Sequence, residues 1–151
     1  MNVFGRQTLK SNRSMPDSQI IPELAYPDVP VAAEWLCRAF GFTERLRIGS
    51  HRVQLSSEGG AIVVTELRQD AQNAQNAQGQ FASHSLMMRI TEIDKHYEHA
   101  RICGALIVYP PADQPYGERQ YTAKDIGGHY WTFSETIKDV HPVEWGGFLV
   151  L

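Results

Sequence analysis

The stretch GERQYTAKDIGGHYWTFSE, residues 117–135, decides the fold of this chain. It predicts a strand, a tight turn and a second strand, because the paired Gly127 and Gly128 supply the positive φ angle that short hairpins require. Trp131 and Phe133 occupy one parity of the second strand, and Tyr130 and Thr132 lie on the other. A carboxylate at residue 132 would indicate a metal site, whereas the threonine found there indicates a binding surface without a metal.

The same pattern occurs earlier in the chain. Residues 51–66 also predict a strand, a glycine pair and a strand, and residues 20–42 predict a strand and a helix before it. Asp28 is a suitable N-cap for that helix, and Gly41 is suited to end it. Residues 83–108 repeat the strand and the helix, at the alternating and helical spacings of apolar residues. The chain therefore predicts an α+β fold of two tandem βαβββ modules.

Composition sets the expected boundaries. Residues 1–17 are polar and predict a flexible N-terminal arm, followed by a first module at residues 18–67. Residues 68–82 repeat Ala-Gln-Asn and predict a polar linker, flexible or with a short helix. The second module spans residues 83–136. The C-terminal extension, residues 137–151, contains apolar residues that we expect to dock on this chain or across a partner subunit.

Charge and hydropathy exclude several classes of protein. The formal net charge of −3 gives no basic surface for nucleic acid, and no apolar run is long enough to span a membrane. No secretory signal is recognisable at the N-terminus. We therefore expect a cytoplasmic protein whose two cysteines, Cys37 and Cys103, are thiols.

Two motifs resemble the vicinal oxygen chelate superfamily, which includes glyoxalases, extradiol dioxygenases and bleomycin-resistance proteins. They are YPDVPVAAEWLCRAFGF, residues 26–42, and YTAKDIGGHYWTF, residues 121–133. The resemblance extends over about residues 18–135 and implies curled mixed sheets around a cavity, and a homodimer. Ile126 and Gly127 depart from the proline and polar residue usual in the family, which we do not expect to alter the hairpin.

Members of that superfamily that use a metal place one ligand on the first and last strand of each module. Matching the motifs puts Ile21, Val63, Ser85 and Thr132 at these positions. None is a suitable ligand, because divalent ions prefer imidazole and carboxylate groups. We therefore predict no metal and no cofactor. A register shifted by one residue would bring Glu66, His84, His129 or Glu135 closer, but it would also turn every side chain of a strand to the other face.

Strand parity predicts which face is buried. The apolar parity, expected to pack on the helices, holds Leu24, Tyr26, Ile62, Val64, Leu86, Met88, Ile90, Trp131 and Phe133. The mixed parity is typical of a cavity wall. Our candidate ligand-binding residues belong to or border this wall: Glu23, Ser85, Met87, Arg89, Gln120, Tyr130 and Thr132. Arg89 could bind a carboxylate or phosphate, and Tyr130 could stack on a ligand. The charged side chains of Glu23 and Arg89 could equally be solvated.

The second helix offers a different metal candidate. His96, His99 and Cys103 lie on one stripe of that helix, a spacing that could hold a soft metal ion. Histidines solvated at the edge of the helix are the simpler interpretation. Motifs for a nucleophile or a phosphate-binding glycine loop are not recognisable in the sequence.

The sequence favours the first of three functions, and the other two are alternatives. The first is a protein similar to bleomycin-resistance proteins, which binds a small molecule without a metal and sequesters an antibiotic or metabolite. The second is a metal-dependent lyase, isomerase or dioxygenase with ligands from the shifted register. The third is a non-catalytic interaction module that uses the C-terminal residues EWGGFLVL.

Overall fold

The computed structural model describes residues 3–5, 8–67 and 84–150; the predicted linker at residues 68–82 lies outside them. The first module comprises β1 (Glu23–Tyr26), α1 (Val29–Phe40), β2 (Thr43–Ile48), β3 (Arg52–Ser57) and β4 (Gly60–Glu66). The second comprises β5 (Leu86–Arg89), α2 (Ile93–Ile102), β6 (Leu106–Asp113), β7 (Glu118–Lys124) and β8 (Tyr130–Thr136). A 3-10 helix, Pro142–Trp145, follows. The predicted α+β fold of two tandem βαβββ modules is confirmed.

Each module folds into an open four-stranded sheet with the same topology. The strand orders are β1-β4-β3-β2 and β5-β8-β7-β6, in which the first strand of each module is parallel to the last. Glu23 lies opposite Val63 in the first sheet, and Met87 lies opposite Thr132 in the second. These pairings make Val63 and Thr132 equivalent positions of the two modules.

One core joins the modules. Helix α1 packs on β1, β3 and β4, helix α2 packs on β6, β7 and β8, and the helices contact each other. The apolar parity is buried as predicted at Leu24, Tyr26, Ile62, Val64, Trp131 and Phe133, whereas Leu86, Met88 and Ile90 are partly buried against the same cluster. Trp35 is buried too, and its Nε1 donates a hydrogen bond of 2.8 Å to the carbonyl oxygen of Cys103 on α2.

A buried carboxylate connects the closing hairpin to the first module. The Tyr26 hydroxyl and the Trp131 indole donate to Asp125 Oδ2 at 2.5 and 2.9 Å. The backbone N–H groups of Gly127 and His129 donate to Oδ1 at 2.9 and 3.0 Å. A buried charge is costly unless it is hydrogen-bonded. These four donors therefore allow the Asp125 carboxylate to be buried, with only 6% of the residue exposed. Burial, followed by the charge of Asp125, raises the pKa of Tyr26, which stays protonated and donates.

The two glycines of this hairpin have different roles. Gly128 adopts a φ of 85°, which side-chain-bearing residues rarely adopt. Gly127 is required by close packing instead, since a Cβ there would lie 2.4 Å from Cδ1 of the Tyr26 ring. The hairpin forms as expected, and Gly127 allows Tyr26 to pack directly on its backbone.

Residues 12–16 and Trp145, which lie outside the two modules, contact them. Residues 12–16 lie against the first sheet, with Pro16 buried, a contact that their polar composition does not predict. At the other end, the ring of Trp145 lies 5.2 Å from that of Tyr116, whereas Phe148 is 82% exposed. Cys37 and Cys103 are free of disulfide bonds and half-buried. Among the described residues, no helix has the length and hydropathy needed to cross a membrane.

Candidate functional site

The face of the second sheet that points away from the helices carries an open hollow of about 410 Å³. Thr122 and Thr132 lie opposite each other at its floor, and their hydroxyl oxygens are 2.9 Å apart. Two side chains at its rim, Met87 and Tyr109, are 65% and 67% exposed. The lining residues are Met87, Tyr109, Pro110, Ala112, Gln114, Gln120, Tyr121, Thr122 and Thr132.

A chain of hydrogen bonds fixes Gln120 beside this hollow. The Tyr116 hydroxyl donates to Gln120 Oε1 at 2.9 Å, and Gln120 Nε2 donates to Ser134 Oγ at 3.0 Å. The Ser134 hydroxyl in turn donates to Glu118 Oε1 at 2.6 Å. Ser134 is 1% exposed, so its hydroxyl orients neighbours and is not available to attack a substrate.

This hydrogen-bond network favours the ionised form of Glu118. Burial raises its pKa, but the hydrogen bonds from Ser134 and Thr136 and the positive charge of Arg89 outweigh burial, so that the pKa of Glu118 is lowered. An ionised carboxylate can only accept hydrogen bonds, which sets the direction of the chain from Tyr116 onwards. The arrangement can therefore orient a polar ligand, and it contains no activated nucleophile.

The predicted binding residues do not share one hollow. Gln120, Thr132 and Met87 line the hollow on the second sheet, whereas Glu23, Ser85 and Met87 line a different one of about 390 Å³. Arg89 borders a wide opening of about 1010 Å³, which Met87 also reaches.

The charged candidates have partners of their own. Glu23 forms an ion pair with Arg52 at 2.5 Å, and Arg89 Nη2 donates to Thr136 Oγ1 at 3.0 Å. The structure does not bring Glu23 and Arg89 together. Tyr130 lies beneath Lys124, whose ammonium nitrogen is 4.9 Å from the ring centroid.

Sequence reasoning missed Thr122, Tyr109 and Gln114. Thr122 could have been found, because a hairpin closed at Gly127 and Gly128 pairs it with Thr132. Tyr109 could not, since β6 contains Pro110 and two register shifts that remove the alternation of side chains.

The positions at which metal-using relatives carry ligands do not fit a divalent ion here. Ile21 and Val63 offer no donor atom, and Val63 is 3% exposed. Thr132 is hydrogen-bonded to Thr122, and Ser85 is a neutral hydroxyl, which binds such ions weakly. No mechanistic step through a metal follows from this donor set.

The alternative register is not the one observed. Glu66 and Glu135 fall on the helix-facing parity of β4 and β8, given the pairing of Glu23 with Val63 and of Met87 with Thr132. Both oxygens of Glu135 accept backbone N–H groups at the start of α2, and His129 Nε2 donates to the carbonyl oxygen of Ala25 at 2.9 Å. His84 borders the hollow that contains Glu23. Within residues 3–5, 8–67 and 84–150, no three His, Cys, Asp or Glu side chains are grouped to hold a metal ion.

His96 and His99 do not meet at Cys103, because only His99 lies near its thiol. His99 is exposed, with Nε2 2.8 Å from the carbonyl oxygen of Arg38 and 3.6 Å from Cys103 Sγ. The interpretation as solvated helix-edge histidines is right for His99 and wrong for His96. The ring of His96 lies 4.4 Å from that of Phe133, its Nδ1 is 2.5 Å from the Tyr121 hydroxyl, and burial lowers its pKa.

Comparisons with known proteins agree with this architecture. The model of the Glyoxalase/Bleomycin resistance protein/Dioxygenase superfamily matches residues 20–133. The crystal structure of TioX from Micromonospora sp. ML1 is 31% identical and superimposes with a TM-score of 0.64, covering 79% of this chain and 98% of that one. No curated protein matches the sequence.

Two further solved structures share the fold at lower identity. TnmS3, an antibiotic binding protein from Streptomyces sp. CB03234, is 16% identical with a TM-score of 0.61, over 82% of this chain and 98% of that one. A glyoxalase/bleomycin resistance protein/dioxygenase family enzyme from Burkholderia phytofirmans PsJN is 18% identical with a TM-score of 0.61, covering 77% of this chain and 96% of that one. From the two modules, their register and the matching family model, the chain belongs to the Glyoxalase/Bleomycin resistance protein/Dioxygenase superfamily.

Proposed function

We propose that this protein binds a small aromatic or polar molecule in the hollow above Thr122 and Thr132 and sequesters it without making or breaking a bond. The observation that carries the proposal is the open hollow itself, whose lining, among the described residues, includes the hydrogen-bonded hydroxyls of Thr122 and Thr132 and no charged side chain. A concave surface with a few fixed polar groups suits recognition of a small molecule.

The chemistry of the hollow defines the class of ligand. The paired hydroxyls of Thr122 and Thr132 can each donate and accept, and the amide of Gln120 is held by Tyr116 and Ser134. Tyr109 presents an exposed ring on which a flat molecule can stack. A planar ligand with carbonyl or hydroxyl groups along one edge satisfies both kinds of contact.

The relatives support an antibiotic or a metabolite as the ligand. TnmS3 is described as an antibiotic binding protein, and the family includes bleomycin-resistance proteins. TioX, at 31% identity over 79% of this chain, supports membership of the same family and not only a likeness of fold.

Calorimetric titration with copper-free bleomycin and with the flat antibiotic doxorubicin tests the proposal. We expect at least one of them to bind with a Kd on the order of micromolar. Thr132→Trp, which fills the hollow, should weaken that binding by roughly tenfold or more. Ile137→Trp is the matched control, because Ile137 is 45% exposed and lies outside the hollow.

Two results would contradict the proposal. The first is the failure of both antibiotics to bind, or binding that Thr132→Trp and Ile137→Trp affect equally. The second is a stoichiometric divalent metal in protein purified without a histidine tag, removable by a chelator, which would restore the metal-dependent alternative.

We further propose that the protein is a homodimer in which a second copy closes the hollow. The exposed Met87 and Tyr109 at the rim support this proposal, because a partner would bury their apolar surface. Light scattering on the eluting protein should give twice the chain mass of 17.0 kDa, and a mass of one chain would contradict the dimer.

A further inference from the structure

The two modules differ in what covers the sheet face that points away from the helices. Val63 is equivalent to Thr132, and Gln54 opposite Val63 is equivalent to Thr122 opposite Thr132. Thr122 and Thr132 are half-buried beside an open hollow, whereas Gln54 and Val63 are only 4% and 3% exposed. A side chain on this face is hidden only where another part of the chain lies over it.

The cover is the segment of residues 12–16. Arg45 Nη2 donates to the carbonyl oxygen of Arg13 at 2.8 Å, and Gln54 Nε2 donates to that of Ser14 at 2.9 Å. Arg45 Nη1 also donates to Gln54 Oε1 at 2.5 Å, which holds both donors in place. Pro16, the last residue of the segment, is buried.

The segment has a defined shape. Asn12 Oδ1 accepts the N–H of Ser14 at 3.0 Å, and its backbone oxygen accepts the N–H of Met15 at 3.1 Å. This turn leaves the carbonyl oxygens of Arg13 and Ser14 free to face the sheet. Residues 12–16 precede the region that the family model matches, residues 20–133, so the cover lies outside the matched region.

We propose that the covered face of the first module is a second binding site, which the chain itself fills with residues 12–16. Gln54 and Arg45 supply amide and guanidinium donors for two carbonyl oxygens, and Ala61 and Val63 supply an apolar floor. The chemistry fits a short proline-containing peptide that presents two backbone carbonyl groups. The site is available only when the segment detaches, and it does not depend on the function proposed for the second module.

The first experiment measures whether the segment shields this face in the full-length chain. Val63→Cys and Thr132→Cys are each made in a background of Cys37→Ala and Cys103→Ala, and the rate of reaction with a disulfide reagent is measured. Thr132→Cys should react roughly tenfold faster or more, because the cysteine at residue 63 reacts only after the segment opens. Equal rates, with circular dichroism showing both variants folded, would overturn the proposal.

The second experiment removes the contacts of the segment. Adding Arg45→Ala and Gln54→Ala to the Val63→Cys chain should raise its reaction rate towards that of Thr132→Cys. Arg47→Ala is the matched control, because Arg47 lies on the same strand and pairs with Glu44, away from the segment. An unchanged rate in the folded double variant would show that something other than these contacts covers the face.

The third experiment tests the site as a binding site. Asn12→Ala with Pro16→Ser loosens the segment but keeps Gln54 and Arg45, so the cysteine at residue 63 should react faster. A synthetic peptide with the sequence of residues 10–18, KSNRSMPDS, should then slow the reaction, and a scrambled peptide should not. Fast reaction that neither peptide slows would disprove a peptide-binding site.

Discussion

At the scale of single residues, Gly127 sets the distance between the closing hairpin and β1. The Tyr26 ring lies 2.4 Å from where a Cβ of residue 127 would be, and Asp125 holds the Tyr26 hydroxyl, so the ring cannot easily move away. Gly127→Ala should therefore lower the free energy of unfolding by about 1–3 kcal/mol, measured by urea denaturation. Gly60→Ala is the control, since its Cβ would meet nothing nearer than Ser57 Oγ at 3.8 Å; an equal loss in both would contradict the argument.

His96 makes stability depend on pH. Burial lowers its pKa in the folded state, so the unfolded chain takes up a proton first as the pH falls. The stability from neutral His96 is present above the unfolded pKa of about 6.5 and is lost as the pH falls through that value towards the folded pKa. In His96→Phe, the urea concentration at the unfolding midpoint should depend less on pH between about pH 7 and pH 5 than in the wild type. His51→Phe, at an exposed position, should keep the pH dependence of the wild type.

The sequence predicts residues whose environment is local and misses those set by distant contacts. Strand parity identified Trp131 and Phe133 as buried because alternation needs only neighbouring residues. His96 was placed at a solvated helix edge, since nothing near it in the chain indicates that Tyr121 and Phe133 would enclose it. The site was predicted in part for the same reason: Thr132 and Gln120 share the hollow, whereas Glu23 and Arg89 do not.

At the scale of elements, the two helices begin differently. Asp28 caps α1 by accepting the N–H of Val31 at 3.1 Å, as its position in the sequence predicts. Helix α2 begins after Glu92, which has a φ of 52° and provides no side-chain cap. The N–H groups of Glu92 and Ile93, which have no partner within the helix, donate at 3.0 Å to Glu135 at the end of β8. A cap supplied by a residue 43 positions later is invisible to local sequence reasoning.

Removal of this distant cap should weaken α2. Glu135→Ala leaves two N–H groups without their partner and removes a negative charge from the N-terminus of the helix, so we expect a loss of about 1–2 kcal/mol in urea unfolding. Glu135→Gln keeps one acceptor and should lose less. Glu144→Ala, at an exposed position, is the control; a Glu135→Ala variant as stable as this control would show that water replaces the cap without cost.

At the scale of the whole molecule, the repeat was predictable and the joint between its halves was not. Each βαβββ pattern can be recognised from the glycine pairs and the spacing of apolar residues. The contact of α1 with the second module depends on Phe40, whose ring lies 4.8 Å from that of Phe133 and 5.4 Å from that of Trp131. Phe40 and Phe133 are 93 positions apart in the sequence, which is more than the length of a module.

Phe40 should therefore make the two modules unfold together. Phe40 is 2% exposed, so Phe40→Ala leaves a cavity among aromatic rings of both modules and should cost about 3–5 kcal/mol. Hydrogen exchange measured by mass spectrometry should accelerate in peptides from β3 and β4 and in peptides from β7 and β8 to the same extent, because both lose the shared core. Phe148→Ala, at a residue 82% exposed, should change neither. Faster exchange confined to the first module would show that the modules fold as separate units and that the aromatic contact does not couple them.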